Sequence, residues 1–232
     1  MSRIEKRAYL DIGADANVRP SRIKLVEKPL CDAISVGLLA KRNRGSMIVN
    51  IGAGQTMISI ISQGRIVISE KFPYGGTMID QRICDIVRRR TNVLIDPRTA
   101  CRLKYAMADL LPSDDARRTI GMDALSGIPG EVVVTSEMIR DAVVTEMDLI
   151  ADAVRSFLER IPPQIAGFIR AEGVYLTGGS ARIRNTGLYL RERSGVVVHV
   201  SSGYEYSTIN GLKELILHRP LQKYAFTIKD VL

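Results

Sequence analysis

Two kinds of apolar pattern alternate along the chain. In one, nearly every position of a short run is apolar, as in Met47-Ile-Val-Asn-Ile51 and Val174-Tyr-Leu-Thr177. Such runs predict strands covered on both faces. In the other, apolar residues return every three or four positions. Ile79, Ile83, Ile86 and Val87 do so in a helix opened by Gly75-Gly76. Ile139, Val143, Met147, Ile150, Val154 and Phe157 do so in the longest helix, which ends before Pro162-Pro163 and which Ser136 is expected to cap, with Glu137 favourable in its first turn. Met57-Ile-Ser-Ile-Ile-Ser62, the Gln63-Gly64 turn and Arg65-Ile-Val-Ile-Ser69 predict a hairpin.

Weaker signals fill the gaps. Residues 4–17 are rich in helix formers, and Pro20 separates them from a short predicted strand, Ile23-Lys-Leu-Val26. Pro29 suits the first turn of a helix reaching about Leu39, followed by a basic loop at 41–45. A helix follows Pro97, and the polar region 112–130 suggests a second hairpin ending in Glu131-Val-Val-Val134. After it the chain predicts a strand at 173–177, a helix from about 181, a strand at 196–200 and a helix at 206–217. The fold class is α/β.

Composition narrows the partners. The 232 residues suffice for a substantial core, and the formal charge is +8. No apolar run approaches bilayer length, and Met1-Ser-Arg-Ile-Glu-Lys-Arg7 lacks the apolar stretch of a signal peptide, so a cytoplasmic location is expected. Cys31, Cys84 and Cys101 are odd in number and widely spaced, as expected of reduced thiols outside any disulfide or zinc site. His199 and His218 belong to no metal-like cluster and read as structural. The positive charge favours anionic headgroups, nucleic acid or an acidic protein. Its clusters, Lys41-Arg-Asn-Arg44 and Arg88-Arg-Arg90, carry few interleaved aromatics, so no nucleic-acid partner is expected and a solvated basic face is the simpler reading.

Two glycine turns leave the buried strands: Gly52-Ala53-Gly54-Gln55-Thr56 and Gly178-Gly179-Ser180-Ala181. Without a Cβ in the way, backbone N–H groups there can approach a phosphate. Glycines also simply end strands. Two such turns in the two halves of one chain suggest a split nucleotide site.

Five segments, in order and spacing, resemble the bacterial actin homologue MreB, the rod shape-determining family of the actin-like ATPase superfamily. They are Glu5-Lys-Arg-Ala8; Ile23-Lys-Leu-Val-Glu-Lys-Pro-Leu30; Asn50-Ile-Gly-Ala-Gly-Gln-Thr56; Thr99-Ala-Cys-Arg-Leu-Lys104; and Leu176-Thr-Gly-Gly-Ser-Ala-Arg-Ile183. The resemblance covers only the later two-thirds of the family's length. It implies an actin-like (ribonuclease H-like) ATPase fold with the second lobe nearly complete and the first largely missing. Residues 48–75 and 138–205 would form the large second-lobe subdomain and 76–137 its small insert; 1–47 and 206–232 would belong to the first lobe. Asp11-Ile-Gly-Ala-Asp15 imitates a first phosphate loop, but its context reads as helix. With that lobe absent, the helix of Leu30, Ile34 and Leu38 is expected to lie uncovered, promoting association.

The resemblance also implies a cofactor, ATP with Mg²⁺. Gly52, Ala53, Gly54, Gln55 and Thr56 would face its phosphates. Cys101, Arg102, Leu103 and Lys104 would lie near the nucleoside, and Gly178, Gly179, Ser180 and Ala181 near adenosine. This chain departs from the family's pattern in its charged chemistry. Lys28 stands where an acidic side chain orients the attacking water, and Asn50 where an Asp assists the metal, so no catalytic or metal residue is expected. Gln55 replaces a Thr and Cys101 a Glu. The implied function is an MreB-like, catalytically degenerate cytoskeletal protein of cell shape and cell-wall growth. Alternatives are an active ATP-dependent filament former, a basic membrane- or nucleic-acid-binding adaptor, and a gene fragment. Implied partners are full-length MreB or a second copy, rod-complex membrane proteins such as RodZ, and the inner face of the membrane.

Overall fold

The structure, a computed structural model, describes residues 3–16, 18–19, 22–39 and 45–227. The basic cluster at 41–44 and Pro20 lie outside the described residues. Its centre is β1, Ser46–Ile51, buried at all six positions. On one side β1 pairs antiparallel with β2, Thr56–Ser62, which pairs antiparallel with β3, Arg65–Phe72. On the other it runs parallel to β7, Val174–Thr177, and β7 parallel to β8, Val198–Val200. The sheet order is β3-β2-β1-β7-β8. Gln63 and Gly64 both have positive φ, 49° and 74°, which matches the two-residue turn to the twist of the hairpin it joins.

Alternation along β1 assigns its side chains to two cores. Met47, Val49 and Ile51 join the larger one, with Ile58 and Ile60 of β2. Over that face lies α5, Ser136–Arg160, whose stripe of Ile139, Val143, Met147, Ile150, Val154 and Phe157 is buried throughout. Also in this core are α3, Gly76–Thr91, and α4, Pro97–Met107. Ile48 points the other way, with Ile61, to a second core containing Leu30, Ala33 and Leu38. Asn50 shares the parity of Ile48 and so faces α2, Lys28–Ser35. A smaller antiparallel sheet comprises β4, Val93–Leu94, β5, Ala116–Asp123, and β6, Pro129–Thr135, in the order β4-β5-β6. Gly121 is required there, since a Cβ would lie 2.4 Å from Val93 Cγ1 and 2.7 Å from the Leu94 carbonyl.

The remaining helices are α1, Arg3–Asp15; α6, Pro163–Glu172; α7, Thr186–Ser194; and α8, Ser207–Leu217. Asp11-Ile-Gly-Ala-Asp15 is the last part of α1, as its context implied.

Several expectations need correction. The segment Ile23-Lys-Leu-Val26 forms no strand but a single bridge, Leu25 with Phe226, because among the described residues no strand runs beside it. The helix at Pro29 stops at Ser35, and Gly37, at φ 75°, turns the chain out of it. Thr135, not Ser136, caps α5, its hydroxyl accepting from the Met138 N–H at 3.4 Å; the Ser136 hydroxyl instead donates to the Ser113 carbonyl. A short 3₁₀ turn, Gly179–Arg182, precedes α7, so the helix expected from 181 begins at Thr186. Helix α6 was not anticipated, since it buries only Ala166 and Ile169 and leaves little periodic signal. Leu30, Ile34 and Leu38 are buried rather than uncovered. Helix α8 lies against α2 so closely that a Cβ on Gly211 would come within 1.9 Å of the Cys31 carbonyl oxygen.

Candidate nucleotide cleft

The two glycine turns meet. The Gly52 carbonyl accepts from the Gly76 N–H at 3.0 Å and from the Ser180 hydroxyl at 3.3 Å, and the Ala53 carbonyl accepts from the Thr77 N–H at 2.8 Å. The first turn is closed by the Gly52 N–H donating to the Gln55 carbonyl at 3.0 Å. These approaches leave no room for side chains. A Cβ on Gly75 would lie 2.6 Å from the Ala53 oxygen, and one on Gly178, at φ 93°, 2.4 Å from the Ile51 oxygen. From α5, Glu146 is fully buried and accepts from the Gly75 N–H at 2.9 Å and Arg82 Nε at 3.0 Å. It fixes the start of α3 beneath the turn.

Beside this junction is a cavity of about 440 Å³, lined among others by Ala53, Gly76, Thr77, Asp80, Cys101, Lys104, Tyr105, Gly179, Ser180 and Arg182. Its size lies within the range of small-molecule sites. Lys104 is buried on the wall, donating to the Gly76 carbonyl at 2.7 Å and pairing with Asp80 Oδ1 at 2.8 Å. Burial, and then the Asp80 carboxylate, push the Cys101 thiol up, so it is protonated at neutral pH and offers a small uncharged surface. Arg182 sits over the Tyr105 ring, 5.3 Å from its centroid, and pairs with Glu205 at 3.3 Å.

The structure thus brings Ala53, Cys101, Lys104, Gly179 and Ser180 to the cavity. Gly52, Gly178 and Ala181 belong to the turns behind it, while Gly54 and Gln55 are exposed at the tip of the first turn. Thr56 is buried, its hydroxyl donating to the Tyr74 carbonyl at 2.8 Å. Leu103 is part of the core, and Arg102 is exposed, donating to the Thr99 hydroxyl. Asp80, Tyr105 and Arg182 escaped the sequence reading. Asp80 left a faint trace there, an acidic residue beside Ile79 in an otherwise apolar helical stripe.

Lys28 and Asn50 converge on a carboxylate that the sequence did not single out, that of Asp32, 1% exposed. Asn50 Nδ2 donates to Asp32 Oδ2 and to Thr177 Oγ1, both at 2.9 Å. The Thr208 hydroxyl donates to Oδ1 at 2.6 Å, and Lys28 Nζ lies 3.3 Å from Oδ2. Both oxygens are engaged. A magnesium ion needs carboxylate or other oxygen ligands, and the acid of this cluster, Asp32, is already engaged, with a cation beside it. Among the described residues no three His, Cys, Asp or Glu side chains group as a metal site. The cavity has the volume of a small-molecule site, and in the neighbouring cluster both Asp32 oxygens are already engaged.

Comparison with known proteins agrees with this cleft-bearing fold. The family model described as MreB/Mbl protein matches residues 1–223. The chain belongs to the MreB/Mbl family. It is 34% identical over 202 residues to the cell shape-determining protein MreB of Escherichia coli K12, covering 86% of this chain and 58% of that protein. To the cell shape-determining protein Mbl of Bacillus subtilis it is 34% identical over 183 residues, 77% of this chain and 54% of Mbl. The chain therefore spans under two-thirds of the curated relatives it matches. Among solved structures, MreB5 of Spiroplasma citri bound to AMPPNP superposes with a TM-score of 0.87 at 28% identity, over 96% of this chain and 66% of that one. The MamK double helical filament gives 0.68 at 19% identity, over 84% and 59%, and shares the actin-like fold.

Proposed function

We propose that this chain works within an MreB-type, actin-like assembly of cell-shape determination, and that it takes an adenine nucleotide without turning it over. The observation that carries the second half is the Asp32 clamp. With Asn50, Thr208 and Lys28 filling both carboxylate oxygens, no acidic side chain of this cluster is left to hold a metal or accept a proton from water. The cavity between Ala53, Cys101 and Ser180 supports binding, as does the capture of AMPPNP and of ADP by MreB5 of Spiroplasma citri.

The division into a large second-lobe subdomain, 48–75 with 138–205, and a small insert, 76–137, is part of the same reading. It is supported by the five-stranded sheet drawing on 46–72 and 174–200 and the three-stranded sheet on 93–135. Full-length MreB or a second copy is the partner this reading implies, and MamK, which forms a double helical filament, supports it. The charge of +8 suits a place at the anionic inner face of the membrane, near proteins such as RodZ.

Phosphate release with Mg²⁺, followed over a range of protein concentrations, tests the catalytic half. The expected rate is that of the blank. Turnover that disappears on Gly54→Val would overturn it. A Cβ at Gly54 meets nothing within 4 Å, so this variant disturbs the turn's access and not the fold.

A further inference from the structure

We propose that the 52–55 turn takes the phosphate chain of a nucleotide without a divalent cation, the Lys28 ammonium supplying the positive charge that a metal would. This rests on the reading of the cleft as a nucleotide site and names the form of ligand it selects. The ammonium is held by a buried acid, Asp32, 3.3 Å away. Asp32 is buried and immobilised by three donors, two of them, Asn50 and Thr208, on other elements. Lys28 is anchored to the same Oδ2 that Asn50 holds, so one shared oxygen separates the ammonium from the residue that leads into Gly52. Asn50 Oδ1 in turn lies 3.9 Å from where a Gly52 Cβ would be.

The Lys28 side chain remains 40% exposed. An ammonium has three N–H donors, and Asp32 is its partner among the described contacts, which leaves donors for a ligand oxygen. Ala53, which lines the cavity, Gly54 and Gln55 are exposed, and a Cβ at Gly54 would meet nothing within 4 Å, so there is room for a phosphate beside the turn. A lysine is a point charge well suited to phosphate. The same charge repels a divalent ion placed against it. Asn50 completes the exchange. Its amide nitrogen must face Asp32, whereas an aspartate there would set two carboxylates together.

Calorimetric titration of the intact chain with adenosine, ADP and ATP, each in EDTA and in excess Mg²⁺, tests the proposal. Lys28→Met and Lys28→Arg are compared with the parent, with thermal melts to show that both are folded. The parent is expected to bind ATP in EDTA more tightly than adenosine, with no gain from Mg²⁺. Lys28→Met should lose about tenfold for ATP and nothing for adenosine, and Lys28→Arg should recover most of the loss. ATP binding that requires Mg²⁺, or a Lys28→Met variant as tight as the parent, overturns the proposal. If adenosine binds and ATP binds no better, this inference alone fails. If neither binds, the nucleotide reading falls and takes the inference with it.

Discussion

Glu146 shows how much of the cleft depends on single buried side chains. It is fully enclosed on α5, yet each of its carboxylate oxygens serves a different part of the site: the Gly75 N–H at the start of α3, and Arg82 about two turns later. Glu146→Gln keeps the shape and one acceptor but leaves the partly buried Arg82 guanidinium without its counter-charge. The expected cost is roughly 2 kcal/mol in urea unfolding, since a buried charge stripped of its partner is penalised more than an exposed one. A change under about 0.5 kcal/mol, within the scatter of surface substitutions, would show that the carboxylate does not hold the turn. Cys31 illustrates the opposite, an inert residue. Its burial, and then the neighbouring Asp32 carboxylate, push its thiol up to about 12, and it is 1% exposed against α8.

Among the elements, α4 carries part of the cavity wall on a helix that begins at an aspartate cap. Asp96 accepts from the Arg98 N–H at 2.8 Å and the Thr99 N–H at 3.0 Å, and the Thr99 hydroxyl donates to its other oxygen at 2.8 Å. The hydroxyl and N–H of Thr99 hold its carboxyl below the usual carboxylate range. A carboxyl whose folded value is depressed adds stability that is complete above its unfolded value and is lost as pH falls through the folded one. Asp96→Asn keeps an acceptor at the cap and removes that titration. The parent should therefore melt at or above the variant near pH 7 and lose that advantage progressively as pH falls below about 3.9, the ordinary value of an unfolded aspartate. Parallel melting curves across that interval would refute the assignment. Helix α5 makes a related point, because its cap fell one residue earlier than expected. Thr135 and Ser136 are equivalent by type, and only the Ser113 carbonyl, brought near by the β5–β6 hairpin, draws Ser136 away.

For the whole molecule, the expected behaviour follows from the share of the family fold that this chain spans, 58% of Escherichia coli MreB. Actin-like protofilaments grow by heterologous, head-to-tail contact, in which two different surfaces of each subunit are used. On the assembly proposed above, the residues of this chain supply part of such a pair, so they should join an end more readily than they extend one. Mixed at substoichiometric ratios with a full-length MreB, it is expected to shorten filaments seen by electron microscopy and to sediment with them; unchanged filaments without co-sedimentation would refute this. The sequence by itself determined the alternation that makes β1 a two-faced strand, the glycines where backbones touch, the hairpins, the apolar stripe of α5 and the family. All of these are read from neighbours within a turn or two, or from a motif, because periodicity records that a face is buried. It does not record what buries it. Only the tertiary structure covered Leu30, Ile34 and Leu38 with α8 and the sheet, and reduced Ile23-Lys-Leu-Val26 to one bridge. It alone gathered Lys28, Asn50 and Thr208 around the Asp32 carboxylate, with Thr177 accepting from Asn50 behind them. Asp32 carries no mark in the sequence, since a charge buried on a short helix becomes favourable only through donors that lie on other elements, Asn50 on β1 and Thr208 on α8.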